Sequence, residues 1–137
     1  MRITFDTNII IDILAHREPF IASSYLVLRN ALENGDCCMM PVSAMTDVAY
    51  ILRKNPDIRE FLRNLAGIIS LTDVTASDIE EAANGSMPDF EDALLAANAR
   101  RNKADCIVTR NARDFANAPV RAVSPEELLT EWETDVS

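Results

Sequence analysis

Five short apolar runs, each separated from the next by stretches with helical spacing, restrict this chain to few folds. The runs are "ITF" at 3–5, "CCMMP" at 37–41, "GIISL" at 67–71, "ADCIVT" at 104–109 and "VRAV" at 120–123. They read as buried strands. The helical stretches between them carry their own punctuation. Asp6 or Thr7 can cap a helix bearing Ile9, Ile10, Ile13 and Leu14. Pro19 opens a second helix, with Phe20, Tyr25, Leu26, Leu28 and Leu32 expected to point inward and Asn34-Gly35 to end it. Ser43 caps a helix from Ala44 to Lys54, stopped by Asn55-Pro56. Asp57 starts another, with Ile58, Phe61, Leu62 and Leu65 on one side. A helix from Ala76 to Ala83 is closed by "NGSMP", and Asp89 caps one from Phe90 to Arg101. Ser124-Pro125-Glu126-Glu127 opens the last, with proline at the first helical position. Strands alternating with helices predict an α/β fold with a mostly parallel sheet.

The chain has 137 residues, which suits one domain over 1–137, the final few residues fraying. No repeat or linker interrupts it. With 48% hydrophobic residues and three glycines, it should bury a core. No apolar run approaches the roughly 20 residues that span a bilayer. The first residues read as a strand rather than a leader, so a soluble protein without export is expected. Three cysteines, Cys37, Cys38 and Cys106, lie in strand-like runs and outside any C-x-x-C pair. Small buried hydrophobes in a reducing cytosol are the expected reading. One histidine, His16, leaves little for imidazole chemistry.

The carboxylates carry the chemical interest. "RITFDTNIII" ends a buried run on Asp6, and a buried charge is costly without a partner. In open parallel sheets, ligands bind beyond the carboxyl ends of the strands. Asp6 falls at such an end, and "CIVTRNARDF" places Thr109, Asn111 and Asp114 past another. Asp47 follows "CCMMP", and Asp92 lies near the start of the helix at Asp89. Each has a plain alternative: Asp6 and Asp89 as caps, Asp92 as the return arm of a capping box, Asp47 as a solvated residue, Asp114 as a turn residue. Together they fall on one predicted edge. Carboxylates so close repel, and a divalent cation with hard oxygen ligands removes the repulsion. Such an ion also acts on phosphodiesters. A formal net charge of −9 disfavours a broad grip on nucleic acid. An acidic pocket can still meet phosphate through metal, with basic groups at Arg53-Lys54, Arg100-Arg101-Lys103 and Arg110/Arg113 nearby.

In that order, "ITFDTNIIIDIL", "SAMTDVAYILRK", "DFEDALLAANARRNKADCIVTRNARDF" and "VSPEELL" resemble the PIN domain. The resemblance covers nearly the whole chain, and is closest to small single-domain toxins of the VapC type. It implies a Rossmann-like α/β/α sandwich and a magnesium- or manganese-dependent ribonuclease of the cytoplasm, leaving 5′-phosphate and 3′-hydroxyl ends. Asp6, Asp92 and Asp114 match the family's acids, with Asp6 and Asp92 holding the ion most directly. Asn8 matches the bracing asparagine of "DTN", and Thr109 and Asn111 match polar residues near the last acid. Asp47 stands where many relatives carry glutamate, a methylene longer. Asp89 is an extra carboxylate beside the site. The resemblance also implies an RNA substrate, a homodimer, and an antitoxin partner whose tail fills the acidic groove. The apolar second helix and "FLRNLAGI" offer surface for these partners, or are ordinary core stripes. Two other classes stand beside this reading. One is a PIN-like module that binds RNA or protein without catalysis, favoured by Asp47. The other is a metal-dependent phosphatase or flap-type nuclease, disfavoured by the lack of an arch or cap insertion.

Overall fold

A computed structural model of the chain describes residues 1–136. Five strands form: β1 (Arg2–Phe5), β2 (Cys37–Pro41), β3 (Ser70–Thr72), β4 (Cys106–Val108) and β5 (Ala122–Val123); of the run "GIISL" only Ser70 and Leu71 are strand, because Gly67 and Ile68 end the preceding helix and Ile69 caps it. All pair in parallel, in the order β3-β2-β1-β4-β5. Parallel neighbours need crossovers, and the helices supply them. These are α1 (Thr7–Leu14), α2 (Ile21–Glu33), α3 (Val42–Ile51), α4 (Ile58–Ile68), α5 (Ala76–Asn84), α6 (Phe90–Arg101) and α7 (Pro125–Val136). A 3-10 turn, Ala112–Phe115, follows β4. Fraying is expected of the final few residues; α7 continues to Val136, and Ser137 lies outside the described residues.

Alternation along the strands sorts the two faces. Ile3 and Phe5 of β1, Cys38 and Met40 of β2, and Cys106 and Val108 of β4 share one core with Ile9, Val27, Val48, Leu65 and Leu128. Ile107 faces the other way, against Leu95, Ala96 and Ala99 of α6, with Phe115 and Val120. Helices α1–α4 and α7 therefore cover one face, and α6, with α5 packed along it, covers the other. Both faces are covered, as a parallel sheet requires, and the α/β/α sandwich is the one expected. Each fully buried Ile, Val or Leu contributes about 1.5–3 kcal/mol. Cys38 and Cys106 are buried and Cys37 is half-buried, all of them free. Burial pushes the Cys38 and Cys106 thiols up to about 11, so both are core hydrophobes as expected.

Local departures from expectation have local causes. Helix α2 starts at Ile21, two residues after Pro19, and buries Ser24, Val27, Leu28 and Ala31. That i, i+3, i+4, i+7 stripe leaves Phe20, Tyr25 and Leu26 exposed, not inward. Its end is as expected: Gly35 takes a φ of +78°, and the Asp36 N–H returns to the Ala31 carbonyl at 3.0 Å. Helix α3 starts at Val42, directly off Pro41, so Ser43 is not its cap. It ends at Ile51, ahead of a turn in which the Asn55 side chain accepts the Asp57 N–H at 2.9 Å. Thr75 and Asp78 form a capping box that opens α5. No helix of the described residues is long and apolar enough to cross a membrane.

Strand order decides where a site can form. From β1 at the centre, the sheet is extended sideways by β2 and then β3 on one side, and by β4 and then β5 on the other, all strands pointing the same way. The connections diverge between β1 and β4, opening a crevice at their carboxyl ends. Asp6 is the residue after β1, and Thr109 the residue after β4.

Candidate active site

The ladder continues one step past both strands: the Asp6 N–H bonds the Val108 carbonyl, and the Thr109 N–H bonds that of Val123, each at 3.0 Å. Rigid backbone thus aims both side chains into the crevice. The Thr109 hydroxyl donates to Asp6 Oδ2 at 2.8 Å. Asn8, on the first turn of α1, donates to the same oxygen at 3.4 Å. Asp6 occupies the N-cap position of α1, but among the described residues its carboxylate makes no cap bond there. The capping alternative for Asp6 therefore gives way to a carboxylate held by a threonine 103 residues away.

Around Asp6 opens a cleft of about 560 Å³. Asp47 of α3, Asp92 and Glu91 of α6, Asn8, Arg17 and Asn111 are in its lining, with Ile11, Pro41, Tyr50 and Leu95 as apolar wall. Asp89 caps α6, accepting the Asp92 N–H at 3.0 Å. Asp92 contributes its backbone to that cap while its carboxylate lines the cleft. Asp114, in the 3-10 turn, is exposed at the edge, close enough to act on Asp92 through its charge. Thr109 is buried, and its oxygen accepts the Asn111 N–H at 3.1 Å.

Acids outnumber cations in the cleft, Asp6, Asp47, Glu91 and Asp92 standing against Arg17. Burial, and then the charges of Asp89, Asp6, Asp114 and Glu91, push Asp92 up to about 6. Burial raises Asp6 as well, against the Thr109 hydroxyl, the Thr7 N–H and Arg110, which lower it, with Asp89 adding to the rise. Glu91 is raised by Asp47 first, then by burial, Asp89 and Asp6. All the acids singled out in the sequence thus lie at one edge, with Asp114 at the margin. Glu91 was missed. Its first-turn position reads as a helix-dipole acid, and the signal lay in its standing beside Asp92 in "DFED".

Most of the arginines expected near a substrate have partners within the chain. Arg100 pairs with Glu81, and Arg101 with Asp78. Arg110 bonds buried Asp12 and lies over the Phe20 ring. Arg53 stacks on Tyr50. Arg17 is the basic residue among those lining the cleft.

The donor set suits a hard divalent cation: several carboxylates that repel one another, and a buried Asn8 Oδ1 with no partner among the described residues. As placed, no three acids, histidines or cysteines of the described residues form a ready ligand group. One or two direct carboxylates with retained water would meet magnesium's needs.

A PIN domain family model matches residues 2–113. The chain belongs to the PIN-domain family. Solved PIN-fold structures superpose over most of it. VapBC2 from Rickettsia felis, bound to a DNA fragment from its promoter, is 18% identical with a TM-score of 0.70, covering 90% of this chain and 98% of its own. A toxin–antitoxin complex from Klebsiella pneumoniae is 22% identical with a TM-score of 0.69, covering 89% and 96%. VapC20 from Mycobacterium tuberculosis, described as a sarcin-ricin loop cleaving toxin, is 14% identical with a TM-score of 0.57, covering 77% and 86%. At these identities the likeness is one of fold. No curated protein matches the chain.

Proposed function

We propose that this PIN domain is a divalent-cation-dependent endoribonuclease and the toxin of a toxin–antitoxin pair. One observation carries the reading: Asp92, in a cleft shared with Asp6, Asp47 and Glu91, is pushed up to about 6 by burial and its acidic neighbours. Mutually repelling acids in one cleft oppose stability, and groups perturbed in this way concentrate at functional sites. Asp6 and Asp92 would hold Mg2+ or Mn2+ most directly, with Asp47 and Asp114 orienting water or substrate. When bound, the ion supplies positive charge for a phosphodiester and makes water more acidic. The chain's own part is positioning: Thr109 and Asn8 fix Asp6 Oδ2, Asn111 is tied to Thr109, and Asp89 anchors the start of α6. Arg17, in the cleft lining, would meet the RNA backbone.

RNA as substrate is supported by the sarcin-ricin loop description of one neighbour. An antitoxin partner is supported by the neighbours that are toxin–antitoxin complexes. Exposed Tyr25 and Leu26 on α2 and Ile68 on α4 are surface for that partner or for a second copy. The deciding assay uses a panel of structured RNAs with magnesium, manganese or chelator, beside Asp6→Asn. Cation-dependent cutting lost in the variant supports the nuclease.

A second reading, a PIN module that binds without cutting, is favoured by two observations: Asp47 in place of glutamate, and no three-acid ligand group as placed among the described residues. Equal background in every lane, with RNA retained on a filter, would select it.

A further inference from the structure

Asp12 of α1 is fully buried. Its Oδ2 accepts from Arg110 Nε at 2.7 Å and from the Ser24 hydroxyl of α2 at 3.3 Å. Its Oδ1 is buried with no partner among the described residues. Such a pair is a poor device for stability, because desolvation rivals the attraction and one oxygen remains unmatched. Apolar residues of similar volume often serve a core as well or better. The location of the pair suggests another use. Arg110 follows Thr109, whose hydroxyl donates to Asp6, and Asp12 lies on the helix that begins after Asp6 and carries Asn8. The Arg110 guanidinium also lies 4.1 Å from the centre of the Phe20 ring, just before α2. Three segments therefore meet at one guanidinium, two of them supplying the side-chain hydrogen bonds on Asp6 Oδ2.

We infer that the buried Asp12–Arg110 pair is a positioning device for the nuclease site, fixing the Thr109 loop against α1 so that Asp6 is held ready for a cation. The inference rests on the nuclease reading above. It is specific to arginine. Bonding through Nε while stacking on Phe20 needs a planar guanidinium, which lysine lacks.

The test replaces the pair with apolar residues, Asp12→Leu with Arg110→Met, beside Arg110→Lys alone. Four properties are read: thermal unfolding, amide exchange at Asn111, Mn2+ binding by electron paramagnetic resonance, and cleavage at saturating Mn2+. The Asn111 N–H bonds Thr109 Oγ1, so it reports the loop without metal. The double variant is expected to unfold within a few degrees of the parent. Its Asn111 amide exchanges faster, its Mn2+ Kd weakens roughly ten-fold, and kcat falls while KM changes little. Arg110→Lys shows the same losses with the charge retained, and supplies these readings if the double variant fails to fold. Folded variants with parental Asn111 exchange and parental Mn2+ Kd overturn the inference. A parent that takes up no Mn2+ overturns the nuclease reading instead, and Asn111 exchange still decides whether the pair positions the loop.

Discussion

Asp78 and Asp92 are the same residue type near the starts of neighbouring helices, and the protein treats them in opposite ways. Asp78 is buried, which would raise its pKa, yet it is lowered by Arg101, the Thr75 N–H and Asn98. Both of its oxygens are engaged: Oδ1 by Arg101 at 2.8 Å, Oδ2 by Arg101, Asn98 and Thr75 at 3.0–3.2 Å. Asp92 has acids where Asp78 has donors, and is raised to about 6. Compensation marks the first as part of the scaffold. Its lack leaves the second an acid among acids in the cleft. A carboxylate on a helix is thus informative through its partners, not its position.

The comparison breaks most visibly in activity. Asp6→Asn or Asp92→Asn should lower RNA cleavage on the order of 10²–10³-fold, measured by single-turnover assays with Mn2+. Asp78→Asn should leave the rate per folded molecule near that of the parent. Stability should show the reverse. Asp78→Ala removes a helix cap and buried hydrogen bonds, and should cost about 2 kcal/mol in urea unfolding. Asp92→Asn should leave the metal-free protein equally or more stable, because it removes repulsion.

The two acids also titrate in different windows. Asp92 binds its proton more tightly in the folded state, about 6 against an ordinary 3.8. Its contribution to stability is therefore full below 3.8 and lost as pH rises through 6. Asp78 is lowered, so its contribution is present above 3.8 and lost as pH falls through its folded value. In chelator, the Tm advantage of Asp92→Asn over the parent should grow between pH 4 and 7. The Tm deficit of Asp78→Asn should shrink below pH 4. A constant Asp92→Asn difference across that range would mean the cleft charges are screened. The smallest effect expected is from Asp47→Glu. Lengthening this side chain by a methylene should tighten Mn2+ binding by less than the roughly ten-fold typical of supporting groups, measured by calorimetry.

Much of the architecture was legible because strands and helices advertise themselves locally. "CCMMP" and "ADCIVT" gave β2 and β4, and the Asn34-Gly35 stop gave the end of α2. Inward faces were harder. Tyr25 and Leu26 look as apolar as Val27, and only packing shows which of them meets the sheet. In the site, Asp6 could be read as a cap or a ligand until the fold brought Thr109 to it from the far side of the chain. The Asp12–Arg110 pair was invisible for the same reason: 98 residues separate its members, and neither spacing nor periodicity links them. The basic clusters misled in turn. Arg100 and Arg101 look free in a string of letters, but Glu81 and Asp78 claim them in space.

A crystal of the full chain soaked in manganese tests the central claim most directly. An anomalous peak between the Asp6 and Asp92 carboxylates, lost in Asp92→Asn crystals, is the predicted result. Clear density for both side chains with no peak between them, at millimolar manganese and neutral pH, would contradict it.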